Sequence, residues 1–309
     1  MKIEKAIDYS LIKAAVVTIG TFDGVHIGHQ KIISKLVNIA KDKALQAVVL
    51  TFFPHPRMVL QKDADIKMIN TIDEKSQRLE SHGVDYLVVE EFTKEFSRLT
   101  AQEFVRDILV EKLHVKHIII GYDHRFGRNR TANIDDLRAF GEIYDFEVTE
   151  ISAQEIDEVA VSSTKIRNAL LDGNIKTANL FLGYPFNFLG TIVKGKGLGK
   201  QIEFPTANLQ LNRAYKLIPK DGVYFVRTAY KGVLLYGMMN IGTNPTVEGQ
   251  FRTIEMHLFD FKKDIYGEDF KVEILERLRD EHKFQSVAHL KKQLFQDKAH
   301  ALTLIKKYA

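Results

Sequence analysis

The chain has 309 residues, enough for about two domains of ordinary size. Its 44 Lys and Arg residues against 40 Asp and Glu residues leave a net charge of +4, too weak and too dispersed to indicate a nucleic-acid-binding surface. Cysteine is absent, which excludes disulfides, thiolate metal sites and cysteine nucleophiles. Since there is no signal-peptide core and no run of about 18 apolar residues, we expect a cytoplasmic protein with no membrane partner.

Strand and helix patterns alternate along the first half of the chain. Apolar runs of roughly six residues predict four buried parallel strands, at 14–19, 47–53, 84–89 and 115–121. Helical patterns occur at 29–43, from a capping box at Thr100 and Glu103 through Leu113, at 133–144 and at 163–171. Strands separated by helices predict a doubly wound α/β sheet.

The second half has a different pattern. Between about residues 188 and 274, short alternating runs separated by turn residues predict antiparallel hairpins of a small barrel or sandwich. An amphipathic helix is predicted over 284–308. The segments 172–174 and 183–185 flank a predicted linker, so we place a domain boundary near residue 184, giving domains 1–184 and 185–309.

A glycine-rich turn with two histidines joins the first predicted strand to the first predicted helix. Its sequence is Gly20-Thr21-Phe22-Asp23-Gly24-Val25-His26-Ile27-Gly28-His29. Glycine lets the backbone approach a ligand closely, and a helix N-terminus offers unpaired N–H groups at the positive end of its dipole. The histidines either donate to phosphate oxygens or serve only as polar caps. Their position favours an anion site, although no P-loop sequence occurs.

Three further segments of the first half place polar groups at strand ends or a helix start. They are Thr51-Phe52-Phe53-Pro54-His55-Pro56, Gly121-Tyr122-Asp123-His124-Arg125-Phe126-Gly127 and Val161-Ser162-Ser163-Thr164-Lys165-Ile166-Arg167. Open α/β sheets bind ligands beyond the carboxyl ends of their strands, and hydroxyls with a cation at a helix start suit a triphosphate. The Pro-His-Pro segment by itself also fits a rigid surface turn.

Polar residues within predicted strands stand out in the second half. Thr206 and Asn208 are two residues apart, so in an extended segment both side chains point the same way and their oxygens can reach one hard cation. Glu255 lies in an alternating strand, where a carboxylate can act as general base towards a hydroxyl. The alternatives are solvent-facing strand residues and, for the glycine-rich segment 195–200, a flexible surface turn.

These motifs together carry a family resemblance. His26-Ile27-Gly28-His29 resembles the His-x-Gly-His motif of the nucleotidyltransferase superfamily, and segment 161–167 resembles its second motif. With segments 51–56 and 121–127, the first half resembles the FMN adenylyltransferase module of prokaryotic bifunctional riboflavin kinase/FAD synthetases. The second half is similar to the riboflavin kinase domain in the order and spacing of its motifs, at 195–199, 204–208, 221–224, 240–246, 255–260 and 279–284.

The resemblance implies both a fold and two activities. The expected fold is an N-terminal Rossmann-like nucleotidyltransferase domain followed by a small antiparallel β-barrel with a terminal helix. The barrel would phosphorylate riboflavin to FMN, and the first domain would adenylylate FMN to FAD with release of pyrophosphate. ATP and Mg²⁺ would be required. The implied partners are the small molecules riboflavin, FMN and ATP, with no nucleic acid, and the oligomeric state is left open.

The resemblance also implies roles for individual residues. The implied catalytic groups are His26, His29 and Glu255, the last as base for the riboflavin 5′-hydroxyl. The implied ATP-binding residues of the first domain are Gly20, Phe22, Asp23, Gly24, His26, Gly28, His29, Ser162, Ser163, Thr164 and Arg167. Its implied flavin-binding residues are Phe52, Pro54, His55, Pro56, Asp123, Arg125 and Phe126. The implied ATP-binding residues of the barrel are Gly195, Lys196, Gly197, Gly199, Lys200, Pro205, Thr206 and Asn208. Thr206 and Asn208 would also hold Mg²⁺, and the implied flavin-binding residues of the barrel are Asn240, Gly242 and Arg279.

Two positions depart from the family pattern, and three alternatives compete with this interpretation. Glu203 and Ala132 occupy positions where glycine is expected, and a carboxylate at 203 either weakens ATP binding or points outward. The alternatives are a kinase whose first domain binds nucleotide without catalysis, a flavin-binding regulator, and a first domain acting on pantetheine phosphate or nicotinamide mononucleotide. The intact His-x-Gly-His argues against the first, the presence of Glu255, Thr206 and Asn208 against the second, and the kinase-like second half against the third.

Overall fold

The computed structural model describes residues 9–61, 66–122, 124–152, 161–195, 203–246 and 249–308. The chain divides into two compact units, Met1–Ser163 and Thr164–Ala309. The predicted domain boundary near residue 184 states that residues 185–309 fold independently, and it stays a prediction.

Five parallel strands form the sheet of the first unit, in the order β3-β2-β1-β4-β5. In chain order they are Ala15–Ile19, Gln46–Phe53, Tyr86–Glu91, Val115–Gly121 and Glu147–Ile151. The predicted doubly wound parallel sheet is confirmed. The fifth strand is absent from the prediction because its sequence mixes charged and apolar residues at the edge of the sheet, where one flank has no neighbouring strand.

The helices of the first unit follow the predicted pattern, with two helices that the sequence pattern does not predict, at 56–60 and 72–81, and one that is partly π-helical. Their bounds are α1 Ile27–Asp42, α2 Pro56–Leu60, α3 Ile72–Ser81, α4 Ala101–Glu103 and α5 Ile134–Tyr144. The predicted capping box is present, since the Thr100 hydroxyl accepts the Glu103 N–H at 3.2 Å. Beyond Glu103 the helix widens into a π-helical stretch, Phe104–Lys112. α3 is not predicted, although Thr71 and Glu74 form a second capping box at its start.

Side chains of the same strands bury both faces of this sheet. Val17 and Ile118 belong to a core cluster that includes Phe104 of the π-helical stretch. Their neighbours Val16 and Ile119 belong to a second cluster, shared with α1 and α3. Because all five residues of β1 are buried, the strand is a continuous apolar run in the sequence.

The strand order reverses between β1 and β4. From β1 the chain builds β2 and β3 on one side and then returns to build β4 and β5 on the other. In such sheets a ligand crevice opens beyond the carboxyl ends of the two strands at the reversal. The glycine-rich turn follows β1 directly and segment 122–127 follows β4. Topology therefore brings two of the predicted segments to the same end of the sheet.

Six antiparallel strands close the second unit into a barrel, in the order β10-β7-β6-β11-β8-β9. Their bounds from β6 to β11 are Phe186–Val193, Ala207–Leu211, Gly222–Tyr230, Val233–Thr246, Gly249–Leu258 and Asp269–Arg279. The predicted small antiparallel barrel is confirmed.

The terminal helix packs on the outside of this barrel. It spans Val287–Tyr308, three residues shorter at its start than predicted, and is numbered α8. Ala301 shares a core cluster with Phe225 and Leu275 of the barrel wall, so β8 is buried on both of its faces. Among the helices of the described residues, none is both long and apolar enough to cross a membrane.

The predicted linker between residues 174 and 183 is instead a helix, which corrects the sequence analysis. Helices α6 Ser163–Leu171 and α7 Ile175–Leu182 precede the barrel, and α7 packs against β6 and β11. The Asn179 amide donates to the Ile274 carbonyl at 2.9 Å and accepts the Phe186 N–H at 2.8 Å. Turn residues at 172–174 and 183–185 mark the ends of α7, where Gly183 adopts the left-handed conformation that often ends a helix.

We expect a fragment of residues 164–309 to be markedly more stable than one of residues 185–309. The shorter fragment lacks Ile175, Ala178 and Leu182, which are buried, and both Asn179 hydrogen bonds. Each buried Leu or Ile contributes about 1.5–3 kcal/mol and each hydrogen bond about 1 kcal/mol. Urea unfolding of the two fragments measures the difference. Equal midpoints would show that α7 adds nothing to barrel stability.

Candidate active sites

The turn between β1 and α1 is held in an unusual backbone conformation. Phe22, Gly24 and Val25 have φ angles of 43°, 87° and 36°. These angles lie in the left-handed region, which residues other than glycine, such as Phe22 and Val25, rarely adopt. The Asp23 carboxylate is buried and accepts the Ile69 N–H at 2.9 Å. Strained backbone of this kind is typical of ligand-binding turns whose surroundings enforce the conformation.

His26 and His29 stack on one another at the start of α1. Their ring centroids are 3.6 Å apart and their planes differ by 17°. His26 caps the helix, because its Nδ1 atom accepts the His29 N–H at 3.3 Å. A Cβ atom at Gly28 would lie 3.2 Å from His26 Nδ1, so glycine allows this close stacking. Capping and anion binding are therefore compatible for this pair rather than alternatives.

Burial keeps both imidazoles neutral near pH 7. It lowers the pKa of His26 to about 4, against the opposing effect of the Asp23 carboxylate. The pKa of His29 lies well below its usual value, chiefly through burial and further through His26 and Lys75. The Nδ1 atom of His29 is buried and makes no hydrogen bond to the described residues. A neutral imidazole still offers one N–H donor, so the pair can bind an anion without carrying charge of its own.

A buried lysine that the sequence does not predict forms a hydrogen bond to the backbone of this turn. Lys75 of α3 is fully buried, and its Nζ atom donates to the Thr21 carbonyl at 2.6 Å. Thr51, at the end of β2, donates to the same carbonyl at 3.2 Å. The capping box of Thr71 and Glu74 predicts the helix, but nothing in the sequence indicates that its lysine points inward.

Aromatic side chains connect two of the predicted flavin-binding segments. Phe52 contacts Phe96 with ring centroids 5.6 Å apart, Phe96 contacts Phe104 at 6.2 Å, and Phe104 contacts Phe126 at 6.1 Å. Phe96 and Phe104 are not among the predicted site residues, because an isolated phenylalanine is indistinguishable from core in a sequence. All four rings belong to one core cluster or pack against it: Phe104 and Phe126 are buried, and Phe52 and Phe96 are half-buried.

The other predicted flavin-binding residues of the first unit are placed as follows. Pro54 and Pro56 flank His55, whose Nδ1 atom accepts the Arg57 N–H at 3.1 Å and caps the short helix α2. Arg125 is exposed. Asp123 lies outside the described residues.

The segment 161–167, with the hydroxyls of Ser162, Ser163 and Thr164, crosses the boundary between the two units. Ser162 and Ser163 end the first unit, and the Ser163 hydroxyl donates to the Asp23 carbonyl at 2.8 Å. This bond brings Ser163 to the glycine-rich turn. Thr164 is exposed and Arg167 half-buried, both in the second unit at the start of α6.

Strand register assembles the polar residues of the barrel. Glu255 of β10 pairs with Asn208 of β7 on one side and with Asn240 of β9 on the other. The Thr206 hydroxyl donates to the Glu255 carboxylate at 3.4 Å. A side chain at Gly195 would overlap the Asn208 amide and force it to move, so glycine leaves the amide in this position. Residues from three separate motifs, 204–208, 240–246 and 255–260, thus meet on neighbouring strands, which the spacing within each motif does not predict.

The rest of the predicted barrel site is placed as follows. The Pro205 carbonyl lies 2.8 Å from His257 Nδ1. The Glu281 carboxylate packs against Gly242, where any side chain would collide with it. Lys196, Gly197, Gly199 and Lys200 lie outside the described residues.

Arg279 takes part in a buried ion pair. Its Nε atom donates to the two carboxylate oxygens of Asp297 in α8 at 3.1 and 2.9 Å, and both side chains are largely buried. The guanidinium also donates to the Asp280 carbonyl at 2.9 Å. These contacts give Arg279 a role in fixing the terminal helix, and its flavin-binding role stays a prediction.

The two departures from the family pattern have separate explanations. Ala132 is buried and exchanges both backbone hydrogen bonds with Phe126, at 3.1 and 3.2 Å. Its φ is negative, so nothing at this position requires glycine. Glu203 has a left-handed φ of 68°, where glycine would be favoured. Its carboxylate is 67% exposed and bound by Lys291 of α8 at 2.6 Å.

Comparison with known proteins covers both units. Two family models match, FAD synthetase over residues 9–165 and riboflavin kinase over residues 182–305. The bifunctional riboflavin kinase/FMN adenylyltransferase of Listeria monocytogenes is 40% identical over 91% of this chain and 90% of its own. The protein of the same name from Escherichia coli K12 is 38% identical over 92% and 91%.

Among solved structures, one from Streptococcus pneumoniae described as a macrolide-efflux protein matches with a TM-score of 0.84. It is 35% identical and the match covers 94% of this chain and 95% of that chain. Because both family models match in order, and relatives at 38–40% identity cover about nine-tenths of both chains, this chain belongs to the bifunctional riboflavin kinase/FMN adenylyltransferase family.

Proposed function

We propose that each unit carries one of the two reactions, through the residues assembled above. The observation that carries the proposal for the barrel is the register that places Glu255 between Asn208 and Asn240, with the Thr206 hydroxyl on its carboxylate. For the first unit it is the stacked histidine pair in the strained turn at the strand-order reversal.

In the barrel, Glu255 accepts the proton of the riboflavin 5′-hydroxyl. The hydroxyl oxygen then forms a bond to the γ-phosphorus of ATP, the bond from that phosphorus to the β–γ bridging oxygen breaks, and ADP leaves. Positioning supplies most of the rate in such transfers, because the phosphoryl transition state needs little covalent help from the protein. Glu255 orients the hydroxyl as well as taking its proton.

The hydroxyl of Thr206 and the amide oxygen of Asn208 suit Mg²⁺. Both are hard oxygen donors, one just before the start of β7 and one within it. Bound there, Mg²⁺ would neutralise charge on the ATP phosphates. The two side chains would hold the ion and thereby orient the nucleotide relative to Glu255.

In the first unit, a phosphate oxygen of FMN attacks the α-phosphorus of ATP. The bond from that phosphorus to the α–β bridging oxygen breaks, and FAD and pyrophosphate form without a protein nucleophile. His26 and His29 donate hydrogen bonds to phosphate oxygens as negative charge develops on them. Phe52, half-buried against the core cluster that contains Phe126, offers an apolar contact to the flavin ring. A cytoplasmic location, where ATP is abundant, is part of the proposal.

A time course with the purified chain tests the proposal. Riboflavin, ATP and Mg²⁺ are supplied, and FMN and FAD are separated by chromatography. We expect FMN to appear first and FAD to follow at its expense. Accumulation of FMN without FAD would instead favour a kinase whose first unit binds nucleotide without catalysis. Absence of both products would contradict the proposal.

We expect Asn208→Ala to raise the Mg²⁺ concentration needed for half-maximal FMN formation by about tenfold, because it removes one oxygen ligand. Asn208→Asp, which keeps an oxygen, should have a smaller effect. Gln210→Ala is the matched control, since Gln210 is an exposed amide two residues along the same strand. Magnesium titrations of kinase activity measure the effect. An unchanged Mg²⁺ requirement in Asn208→Ala would remove this residue from the metal site.

We expect Glu203→Gly to leave the KM for ATP in FMN formation within about twofold, because Lys291 already binds the carboxylate. Stability should also change little. Relief of the left-handed backbone gains about 1 kcal/mol, and loss of an exposed ion pair costs up to about 1 kcal/mol. Steady-state kinetics and urea unfolding measure both. A fivefold lower KM for ATP would show that the carboxylate opposes nucleotide binding.

A further inference from the structure

A fully buried lysine lies directly beneath the histidine turn of the first unit. The side chain of Lys75 enters from α3, and its Nζ atom donates to the Thr21 carbonyl at 2.6 Å and to the Thr51 hydroxyl at 3.4 Å. Placing an ammonium group out of water is costly unless it is paired. A core position that only needed filling would be occupied more stably by an apolar side chain, so the lysine requires an explanation.

The contacts of Lys75 show what it controls. Thr21 stands between Gly20 and the positive-φ residue Phe22, so its carbonyl direction sets the orientation of the peptides that follow. The Asp23 carboxylate fixes the same turn through the N–H groups of Ile69 and Asn70, which immediately precede α3. The N-terminal end of α3 therefore holds the turn at two points, with a cation at one and an anion at the other.

The charge of Lys75 also reaches the histidine pair. It is one of the causes that lower the pKa of His29, which means that the ammonium group and the imidazole lie close enough to interact. Both imidazoles are neutral near pH 7 and contribute no charge of their own. Lys75 is thus a buried positive charge beside a site that, by the proposed function, receives a triphosphate. Burial lowers its own pKa to about 8, which still favours the charged form at pH 7.

We infer that Lys75 is a positioning residue for adenylyl transfer: through the Thr21 carbonyl it holds the glycine-rich turn in its nucleotide-binding conformation and supplies positive charge behind the phosphates. This inference rests on the proposed function of the first unit. It assigns Lys75 no contact with ATP, since its Nζ atom points at the backbone of the turn and not beyond it.

Kinetics of Lys75→Met in the full chain test the inference, because methionine has similar volume and no charge. We expect the KM for ATP in FAD formation from FMN to rise at least tenfold, with a smaller fall in kcat. FMN formation from riboflavin should stay within twofold, which shows that the second unit is folded and active. Circular dichroism and urea unfolding check that the first unit is folded. Lys75→Arg, which keeps charge and a donor, should recover most of the loss. Thr51→Val, which removes the second donor to the Thr21 carbonyl and the weaker of the two Lys75 contacts, should raise the KM two- to fivefold. Lys41→Met, at an exposed lysine of α1, is the matched control.

A lower unfolding midpoint with an unchanged KM for ATP would overturn the inference, because Lys75 would then be only a stabilising residue. If Lys75→Met does not fold, Lys75→Arg and Thr51→Val decide, and an unchanged KM in both overturns it. Calorimetric titration with α,β-methylene-ATP separates this inference from the proposed function. If the wild type binds nucleotide at two sites and Lys75→Met binds it at both with the same affinity, the role of Lys75 is contradicted but the proposed function is not. A single wild-type site that His29→Ala leaves intact contradicts the proposed first-unit site, and the role of Lys75 with it.

Discussion

Replacing Glu255 by glutamine is expected to lower kcat for FMN formation by about 100-fold or more. The change removes the proton acceptor but keeps the size of the side chain and its ability to bond to the Thr206 hydroxyl. General-base catalysis typically contributes about 10²–10⁴-fold. The KM for ATP should change little, because the carboxylate acts on the riboflavin hydroxyl.

Two controls make this prediction specific. Glu276→Gln changes a half-buried carboxylate of β11 that bonds to the terminal helix through Lys307 and Tyr308, and it should keep nearly full kinase activity. FAD formation from supplied FMN should be unchanged in Glu255→Gln. A loss of less than about tenfold in FMN formation would rule out Glu255 as the base.

Replacing His29 by alanine is expected to lower FAD formation from FMN by about 100-fold, the usual effect of removing one preorganised donor from a charge-stabilising site. His29 also stacks on His26, so its loss removes both a donor and the contact that orients the neighbouring ring. FMN formation from riboflavin should stay near the wild-type rate, since every residue proposed for that reaction lies in the second unit.

His82→Ala is the matched control for this variant. His82 ends α3, and its Nδ1 atom lies 2.8 Å from the Arg78 carbonyl, so the substitution removes a histidine from the same unit outside the turn. It should leave both activities unchanged. If His29→Ala lowered both activities equally while the unfolding midpoint held, the assignment of one reaction to each unit would be wrong.

Sequence patterns predicted the elements whose residues are buried on both sides. β1 is continuously apolar because helices cover both faces of the sheet, and the position of the histidine turn follows from it. The edge strand β5 carries charged residues and has no such signal. The sequence predicts a linker in place of α7 because the segment is short and bounded by turn residues. Its place in the fold depends on Asn179, which bonds both to β6 next in the chain and to β11, about 95 residues away.

The composition of the sites was less predictable than their location. The motifs indicated Glu255, Thr206 and Asn208, but their grouping depends on the register of β10 with β7 and β9, which local sequence does not determine. The sequence does not indicate Lys75, because a lysine in a helix is normally exposed. Arg279 is predicted as a flavin-binding residue, whereas the structure shows it in a buried ion pair with Asp297. The sequence does not predict this pair, because Asp297 belongs to none of the motifs.

Mixing two variants tests the central claim, that two separate sites act in sequence on riboflavin. Glu255→Gln and His29→Ala are each supplied with riboflavin, ATP and Mg²⁺, first alone and then together, and FAD is followed by chromatography. We expect Glu255→Gln alone to make neither product and His29→Ala alone to accumulate FMN. The mixture should make FAD from the FMN that His29→Ala releases. A mixture that accumulates FMN without FAD, although Glu255→Gln converts supplied FMN, would contradict free exchange between independent sites. FAD formation by His29→Ala alone at the wild-type rate would contradict the histidine site itself.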